Sequence, residues 1–217
     1  MSLENADKKN ILLEKCDGRV GQIGPAKKRR FLEEGTFGSA YESDVTAASE
    51  KRSREFTLVA KEFKKAGGAE HAFEAYGKLK GMGLKVPPTY RLDRENNRIF
   101  MTDYNRGGNV ALASTSLNRH AEGLVIGNIL NLESLKKEIK KQCALAAQNR
   151  VRLPQDAFFF VVPRKGGNVN MDFVIGDLDL IFSEYARELN LDEEGCFKEN
   201  NTNAGNALNN ITKLFQK

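Results

Sequence analysis

The sequence predicts an α+β protein in two parts, a first part of antiparallel strands with one inserted helix and a second part in which helices dominate. Two patterns support this. Residues 55–63 alternate apolar and polar side chains, as a half-buried strand does. Residues 132–148 repeat apolar side chains at helical spacing.

In the first hundred residues, strands and turns follow a charged lead-in that we expect to be flexible over residues 1–30. Structure should begin near Phe31, and the polar stretch over residues 43–54 is expected to connect strands. A helix is predicted over residues 69–81, where apolar side chains recur three and four residues apart before glycines end it. The strands are predicted at residues 31–34, 40–42, 55–63, 89–92 and 98–101.

The second half is predicted to be irregular from the glycines at 107 and 108 until Leu132, where a long helix begins and runs to about Gln148. A strong turn signal over residues 164–168 then separates two short strands. These strands are predicted at residues 158–162 and 170–175, and the final helices at residues 182–189 and 204–215.

The formal net charge is +5, and the densest basic run is residues 27–30. Aromatic side chains do not alternate with the basic ones, so a stacking platform for single-stranded nucleic acid is not indicated. Runs of like charge usually form a solvated face, and we predict no nucleic-acid partner.

No stretch of the sequence approaches the roughly 20 apolar residues that span a bilayer, and the start lacks the apolar run of a cleaved signal. Three cysteines at wide spacing, without a CxxC pair, indicate neither a disulfide framework nor a zinc cluster. We therefore expect a cytoplasmic protein without a membrane partner, or one exported without a cleaved signal.

The first motif is a glycine-rich turn within Glu33-Glu34-Gly35-Thr36-Phe37-Gly38-Ser39-Ala40-Tyr41. It resembles the glycine-rich loop of protein kinases, in which backbone amides close over the phosphates of ATP. The resemblance implies that Gly35, Thr36, Phe37 and Gly38 bind the nucleotide, and Glu33 stands where the family has its first glycine.

The motifs that follow are similar to the kinase small lobe in their order along the chain. Lys61 in Val59-Ala60-Lys61 would bridge the α- and β-phosphates, and a glutamate on the next helix would hold it. Glu74 is preferred to Glu70, because Phe73 and Tyr76 flank it on the apolar side. The segment from Ile99 to Gly108 resembles the hinge that holds adenine, with Met101 as the gatekeeper and Asp103, Tyr104 and Asn105 as the hinge proper.

In the second half, two aspartates stand where the family has its catalytic loop and its metal-binding motif. Asp156 would be the base or orienter for the acceptor hydroxyl, and Asp177 would bind Mg²⁺. The residue expected to hold a second metal is Val161, so the resemblance implies that Asp179, or less favourably Asn170, replaces it.

This resemblance implies a bilobal protein-kinase-like fold with an antiparallel β N-lobe over residues 31–104 and a truncated, mostly helical C-lobe over residues 105–217. It implies ATP and Mg²⁺ as cofactors and a monomer that phosphorylates a protein hydroxyl, with Ser/Thr specificity. Only forty residues follow Asp177, so an activation segment is not expected. The chain thus resembles the pared-down kinases that some bacterial pathogens deliver into host cells, which implies a host substrate such as a chaperone or a signalling component.

Two other functions remain open at this point. The lost His-Arg before Asp156 and the lost first glycine permit a pseudokinase, which binds nucleotide or a partner without catalysis. A small-molecule kinase of the aminoglycoside or choline type shares the small lobe, although such enzymes usually need a larger helical second lobe.

Overall fold

The structure is a computed structural model that describes residues 27–49, 52–114, 124–177 and 191–215. Within these ranges it is an α+β protein with antiparallel sheets and three α-helices. By their contacts, the described residues divide into two compact units. The first unit ends at Asp103, except that Lys78–Val86 belong to the second unit together with the residues from Tyr104 onward.

The first unit is built on a five-stranded antiparallel sheet with the order β1-β2-β3-β5-β4 and with helix α1 inserted between β3 and β4. Both β2 and β3 contain 12 residues and pair along their whole length. The elements are β1 (Lys27–Glu34), β2 (Gly38–Ser49), β3 (Arg52–Phe63), α1 (Gly68–Gly81), β4 (Thr89–Asp93) and β5 (Arg98–Met101). The residues of α1 from Lys78 onward belong to the second unit.

Two expectations for this unit are wrong. Strand β1 begins at Lys27, so residues 27–30 belong to the sheet, and residues 1–26 lie outside the described residues. Most of the supposed connection over residues 43–54 is strand instead, because β2 continues to Ser49 and β3 begins at Arg52. Polar residues are accommodated because they pair across the strands: the Thr57 hydroxyl donates to the Asp44 carboxylate at 2.6 Å.

One face of the sheet carries the apolar core of this unit. Alternate residues of β2 and β3 point to it, because successive side chains of a strand face opposite sides. The cluster also includes an aromatic residue from β4 and one from β5. Its members are Val45, Leu58, Ala60, Tyr90 and Phe100, with Phe56 packed at the edge.

The second unit combines a three-stranded antiparallel sheet, in the order β10-β8-β6, with helices α2 and α3. A short parallel pair joins β7 to β9. The elements are β6 (Asn109–Ala113), β7 (Val125–Ile126), α2 (Leu132–Gln148), a 3₁₀ turn (Gln155–Ala157), β8 (Phe158–Pro163), β9 (Lys165–Gly166), β10 (Asp172–Ile175), α3 (Glu193–Thr212) and a second 3₁₀ turn (Lys213–Phe215).

Helix α2 has the predicted bounds, whereas β6 and the start of α3 differ from the predictions. Strand β6 was expected to be irregular, but it pairs with β8 through contacts such as Leu112 opposite Phe160. Helix α3 begins at Glu193, 11 residues before the predicted start at residue 204. The helix predicted over residues 182–189 lies outside the described residues.

The segment after α1 is built into the second unit by backbone contacts. The N–H of Lys85 donates to Gln142 Oε1 on α2 at 2.8 Å, and the carbonyl of Lys85 accepts from the N–H of Ile175 on β10 at 2.8 Å. The Lys85 ammonium also forms an ion pair with Asp172. Among the described helices, none is long and apolar enough to cross a membrane.

Candidate functional site

The second unit brings Asp156 and Asp177 to one edge of its sheet. Strands β8 and β10 are antiparallel, and Phe158, the first residue of β8, pairs with Ile175, the last residue of β10. Asp156 precedes this pair by two residues and Asp177 follows it by two, so the chain directions alone make them neighbours. The N–H of Gly176 donates to the carbonyl of Ala157 at 2.8 Å, which extends the pairing toward both aspartates.

The backbone at Asp177 adopts a left-handed conformation, with φ of 51°. This region is unfavourable for most residues that carry a Cβ, although aspartate tolerates it better than most. The preceding Gly176 has little free space, because an added Cβ would lie 3.1 Å from the ring of Phe159. Residues held in the left-handed region often occur at functional sites.

The electrostatic environment of Asp156 also indicates that the two carboxylates are close. Burial raises the pKa of Asp156 above its ordinary value, and the negative charge of Asp177 raises it further, against a hydrogen bond from the residue's own backbone. Carboxyl groups that are buried next to a second carboxylate bind protons or cations readily. The pair is therefore suited to proton transfer or to holding a cation.

The loop before Asp156 is held by helix α3. The side-chain amide of Asn200 bonds to two backbone groups of this loop: its Oδ1 accepts from Leu153 N–H at 2.7 Å, and its Nδ2 donates to the Val151 carbonyl at 2.9 Å. Asn203 Nδ2 donates to the Leu153 carbonyl at 3.0 Å. The sequence reasoning did not identify these residues.

One signal in the sequence is consistent with this role of α3. The helix contains asparagine at positions 200, 201, 203, 206, 209 and 210. Asparagine is a poor helix former, since its side chain competes for backbone groups, so several in one helix suggest that some have tertiary partners. The pattern still would not have identified those partners, because Leu153 is 47 residues away in the sequence.

In the first unit, the glycine-rich turn joins β1 to β2 and is closed by a hydrogen bond from Gly35 N–H to the Gly38 carbonyl at 2.8 Å. An added Cβ at Gly38 would lie 2.0 Å from the carbonyl oxygen of Glu62 on β3, so the close approach of two strands by itself requires glycine there. At Gly35 an added Cβ would be in ordinary contact, 3.8 Å from its nearest neighbour.

The turn is also fastened to the end of β3 by Lys64. Its backbone N–H donates to the Phe37 carbonyl at 2.9 Å, and its ammonium reaches the Gly35 carbonyl at 3.2 Å. The same ammonium pairs with Glu34 at 2.8 Å. Thr36 and Phe37 form the exposed tip of the turn.

Lys61 lies on β3 as predicted, opposite Ala40 on one side and Ile99 on the other. Its ammonium is 5.5 Å from the centre of the Phe63 ring. The reason given for preferring Glu74 is wrong, because Glu74 lies on the exposed face of α1. Glu70 is also exposed, and it pairs with Arg94 at 3.1 Å.

The predicted hinge residues lie at the end of β5 and just beyond it. Met101 is the last residue of β5 and is buried, as is Asp103. The buried Thr102 shares a hydrogen bond of 3.0 Å with the hydroxyl of Tyr90. Asp103 is the last residue of the first unit, and the half-buried Tyr104 is the first of the next segment of the second unit.

Among the predicted metal ligands that the structure describes, Asp177 lies where a cation could meet a second carboxylate, that of Asp156. Asp179 lies outside the described residues. Asn170 is not a substitute, since it precedes β10 and Asp177 follows it, at opposite ends of an extended strand. Within the described part of the chain, no group of three or more acidic, histidine or cysteine side chains is arranged to hold a metal.

With this geometry described, the sequence was compared with known proteins. No protein-family model matches it, and no curated protein is significantly similar to it. The functional assignment therefore depends on the motifs and on the arrangement of Asp156 and Asp177.

Proposed function

We propose that the protein is an ATP- and Mg²⁺-dependent phosphotransferase that phosphorylates a hydroxyl group of another protein. The observation that carries the proposal is the proximity of Asp156 and Asp177, with a raised pKa at Asp156. Two neighbouring carboxylates can divide the work between a proton acceptor and a metal ligand. The sheet order β1-β2-β3-β5-β4, with a helix after β3, supports the same proposal, because the kinase resemblance led us to expect strands and a helix in this sequence.

In this proposal Asp156 orients the acceptor hydroxyl and accepts its proton. A raised pKa suits this role, because a general base is most effective when its pKa lies near the working pH. The role also sets the pH dependence: protonation of Asp156 removes activity, and it occurs at a higher pH than for an ordinary aspartate.

Asp177 is the residue that would hold Mg²⁺. Oxygen ligands suit this cation, which is usually held by one or two protein carboxylates and completes its shell with phosphates and water. A Mg²⁺ ion therefore does not require a cluster of three or more acidic, histidine or cysteine side chains, which the described residues lack. When bound, MgATP supplies the γ-phosphoryl group that is transferred.

The nucleotide-binding roles are carried over from the kinase resemblance. Lys61 would contact the α- and β-phosphates, and the tip of the glycine-rich turn, Thr36 and Phe37, would cover them. Met101, Asp103 and Tyr104 would hold adenine, and either Glu74 or Glu70 would support Lys61. The acceptor, a host protein, rests on the resemblance alone.

The direct test is transfer of labelled phosphate from ATP to the chain itself or to proteins of a host lysate in the presence of Mg²⁺. We expect transfer by the wild type and a loss of about 100-fold or more in Asp156→Asn, the range typical for removing a general base. Asp177→Asn should lose activity and also the thermal stabilisation that MgATP gives to the wild type.

Asp192→Asn is a matched control. Asp192 is an exposed helix cap in the same unit, and asparagine caps a helix equally well, so this variant should behave as the wild type. Equal labelling by wild type and Asp177→Asn contradicts the mechanism. Stabilisation by MgATP without any transfer, in wild type as in Asp156→Asn, identifies a pseudokinase instead.

A further inference from the structure

We propose that helix α3 is part of the catalytic apparatus, and that Asn200 is a positioning residue that fixes the backbone from which Asp156 is presented. The inference rests on the proposed phosphotransfer and deepens it, since it assigns a role to a helix that the motifs left unexplained. Asn200 does not touch the reacting atoms in this scheme; it acts through residues 151–154.

The side-chain amide of Asn200 makes a hydrogen bond to the loop through its oxygen and another through its nitrogen. One side-chain amide satisfies both a donor and an acceptor of the backbone, at Leu153 N–H (2.7 Å) and at the Val151 carbonyl (2.9 Å). All three residues are buried, and Asn200 has no exposed surface. Buried backbone groups need a partner, so an apolar side chain at position 200 would leave the Leu153 N–H unsatisfied and the Val151 carbonyl with the Cys196 thiol, a weak donor.

Several side chains of α3 contact the same three consecutive residues of the loop, 151–153. Cys196 Sγ donates to the Val151 carbonyl at 3.3 Å, and Asn203 Nδ2 reaches the Leu153 carbonyl at 3.0 Å. Residues 196, 200 and 203 lie on one face of a helix, because their spacings are four and three. Next to them, Arg152 Nε donates to Glu199 Oε2 at 2.9 Å, and a second nitrogen of the same guanidinium bonds the other carboxylate oxygen.

Only Pro154 and Gln155 separate Leu153, which Asn200 holds, from Asp156. Pro154 follows Leu153 directly in an extended conformation, with φ of −65° and ψ of 162°, and its ring fixes φ. The Pro154 carbonyl then accepts from Ala157 N–H at 3.0 Å, which closes the turn that carries Asp156. A displacement of Leu153 is therefore transmitted to the carboxylate, and a misplacement of about 1 Å in such a group can cost 100-fold in rate.

The test uses two variants of Asn200 and one neighbour. Asn200→Leu removes both hydrogen bonds, and Asn200→Asp keeps the acceptor for Leu153 N–H while it loses the donor to Val151. Asn201→Ala is the matched control, since Asn201 is exposed on the same helix. The full-length proteins are compared by hydrogen exchange of backbone amides and by the kinetics of phosphate transfer from MgATP.

We expect the exchange of the Leu153 amide to accelerate at least tenfold in Asn200→Leu and less in Asn200→Asp, while amides of β2 and β3 exchange as in the wild type. The kcat for transfer should fall tenfold to 100-fold, with KM for ATP within twofold of the wild type, because the phosphate contacts are proposed for residues of the first unit. Asn201→Ala should match the wild type in both measurements.

The outcomes separate this inference from the proposed function. Unchanged Leu153 exchange in a folded Asn200 variant, or faster exchange with an unchanged kcat, overturns the positioning role and leaves the phosphotransferase intact. Exchange accelerated throughout the protein, with kcat and KM both altered, overturns it in favour of a general stabilising role. If Asn200→Leu does not fold, Asn200→Asp decides by the same criteria. A wild type that transfers no phosphate overturns both proposals.

Discussion

Replacement of Gly38 by alanine should destabilise the first unit for a reason that has nothing to do with a ligand. The new Cβ would lie 2.0 Å from the carbonyl oxygen of Glu62, about 1.5 Å short of an ordinary van der Waals separation. The obstacle is the backbone of the neighbouring strand, which cannot rotate away as a side chain can. Strands β2 and β3 must therefore separate at this end.

The size of this destabilisation follows from the backbone hydrogen bonds between β2 and β3 near Gly38. Separation there would break about two backbone hydrogen bonds, worth about 1 kcal/mol each, and the remaining strain would add about 1 kcal/mol or more. We expect a loss of about 3 kcal/mol, which corresponds to a fall in Tm of roughly 6 to 12 °C in a chain of this size.

The control is Gly35→Ala, three residues away in the same turn. Its Cβ would meet its nearest atom at 3.8 Å, and its φ is not in the left-handed region, so the Tm should stay within about 2 °C of the wild type. Thermal unfolding followed by circular dichroism measures both variants. If Gly38→Ala unfolds at the wild-type temperature, β2 and β3 are not packed as described, and the reasoning fails. If the prediction holds, only Gly35→Ala is suitable for testing whether phosphates approach this turn.

Two further predictions concern the turn between β4 and β5. Asn97 has φ of 46°, and its side-chain amide forms hydrogen bonds with the backbone of Phe63, Lys65 and Ala69. Asn97→Ala should therefore lower the free energy of unfolding, measured by chemical denaturation, by about 2 kcal/mol, and Asn97→Gly should lower it by about 1 kcal/mol less than that. Equal losses in the two variants would show that the φ angle contributes nothing. Burial opposes ionisation of Asp93, but hydrogen bonds from its neighbours outweigh burial and hold the pKa of Asp93 below the ordinary value. The ionised Asp93 therefore stabilises the fold above about pH 4, and this contribution is lost as the pH falls through the pKa of the folded state. The urea midpoint should therefore depend less on pH below 4 in Asp93→Asn than in the wild type, and parallel pH profiles would contradict this.

The elements that the sequence predicted well are those whose signal is local. Helix α2 was predicted from Leu132 because Leu135, Ile139 and Cys143 recur on one face, and all three are buried. Strand β6 was missed because five residues of mixed character become a strand only through pairing with β8, which lies about 50 residues further along the chain. Long-range pairing of this kind leaves no periodic trace in a short segment.

The same difference between local signals and long-range contacts applies to the residues of the candidate site. Asp156 and Asp177 were proposed from the order of motifs, and their proximity follows from a hairpin that the turn signal at residues 164–168 made predictable. Asn200 was not predictable, because its value depends on backbone groups of a distant loop. The reason for preferring Glu74 to Glu70 does not hold, because sequence neighbours of a helical residue face other directions, so flanking apolar residues say little about its own exposure.

The connection that runs through Lys85 has a consequence for how this chain is made. Lys85 is synthesised before Ile175, whose N–H donates to the Lys85 carbonyl. This hydrogen bond can therefore form only after about 90 further residues have been added to the chain. The first unit, in contrast, is complete once Asp103 has emerged. A gene fragment that starts at Tyr104 would encode the second unit without Lys85, whose carbonyl accepts from Ile175 N–H, and without the other residues of Lys78–Val86.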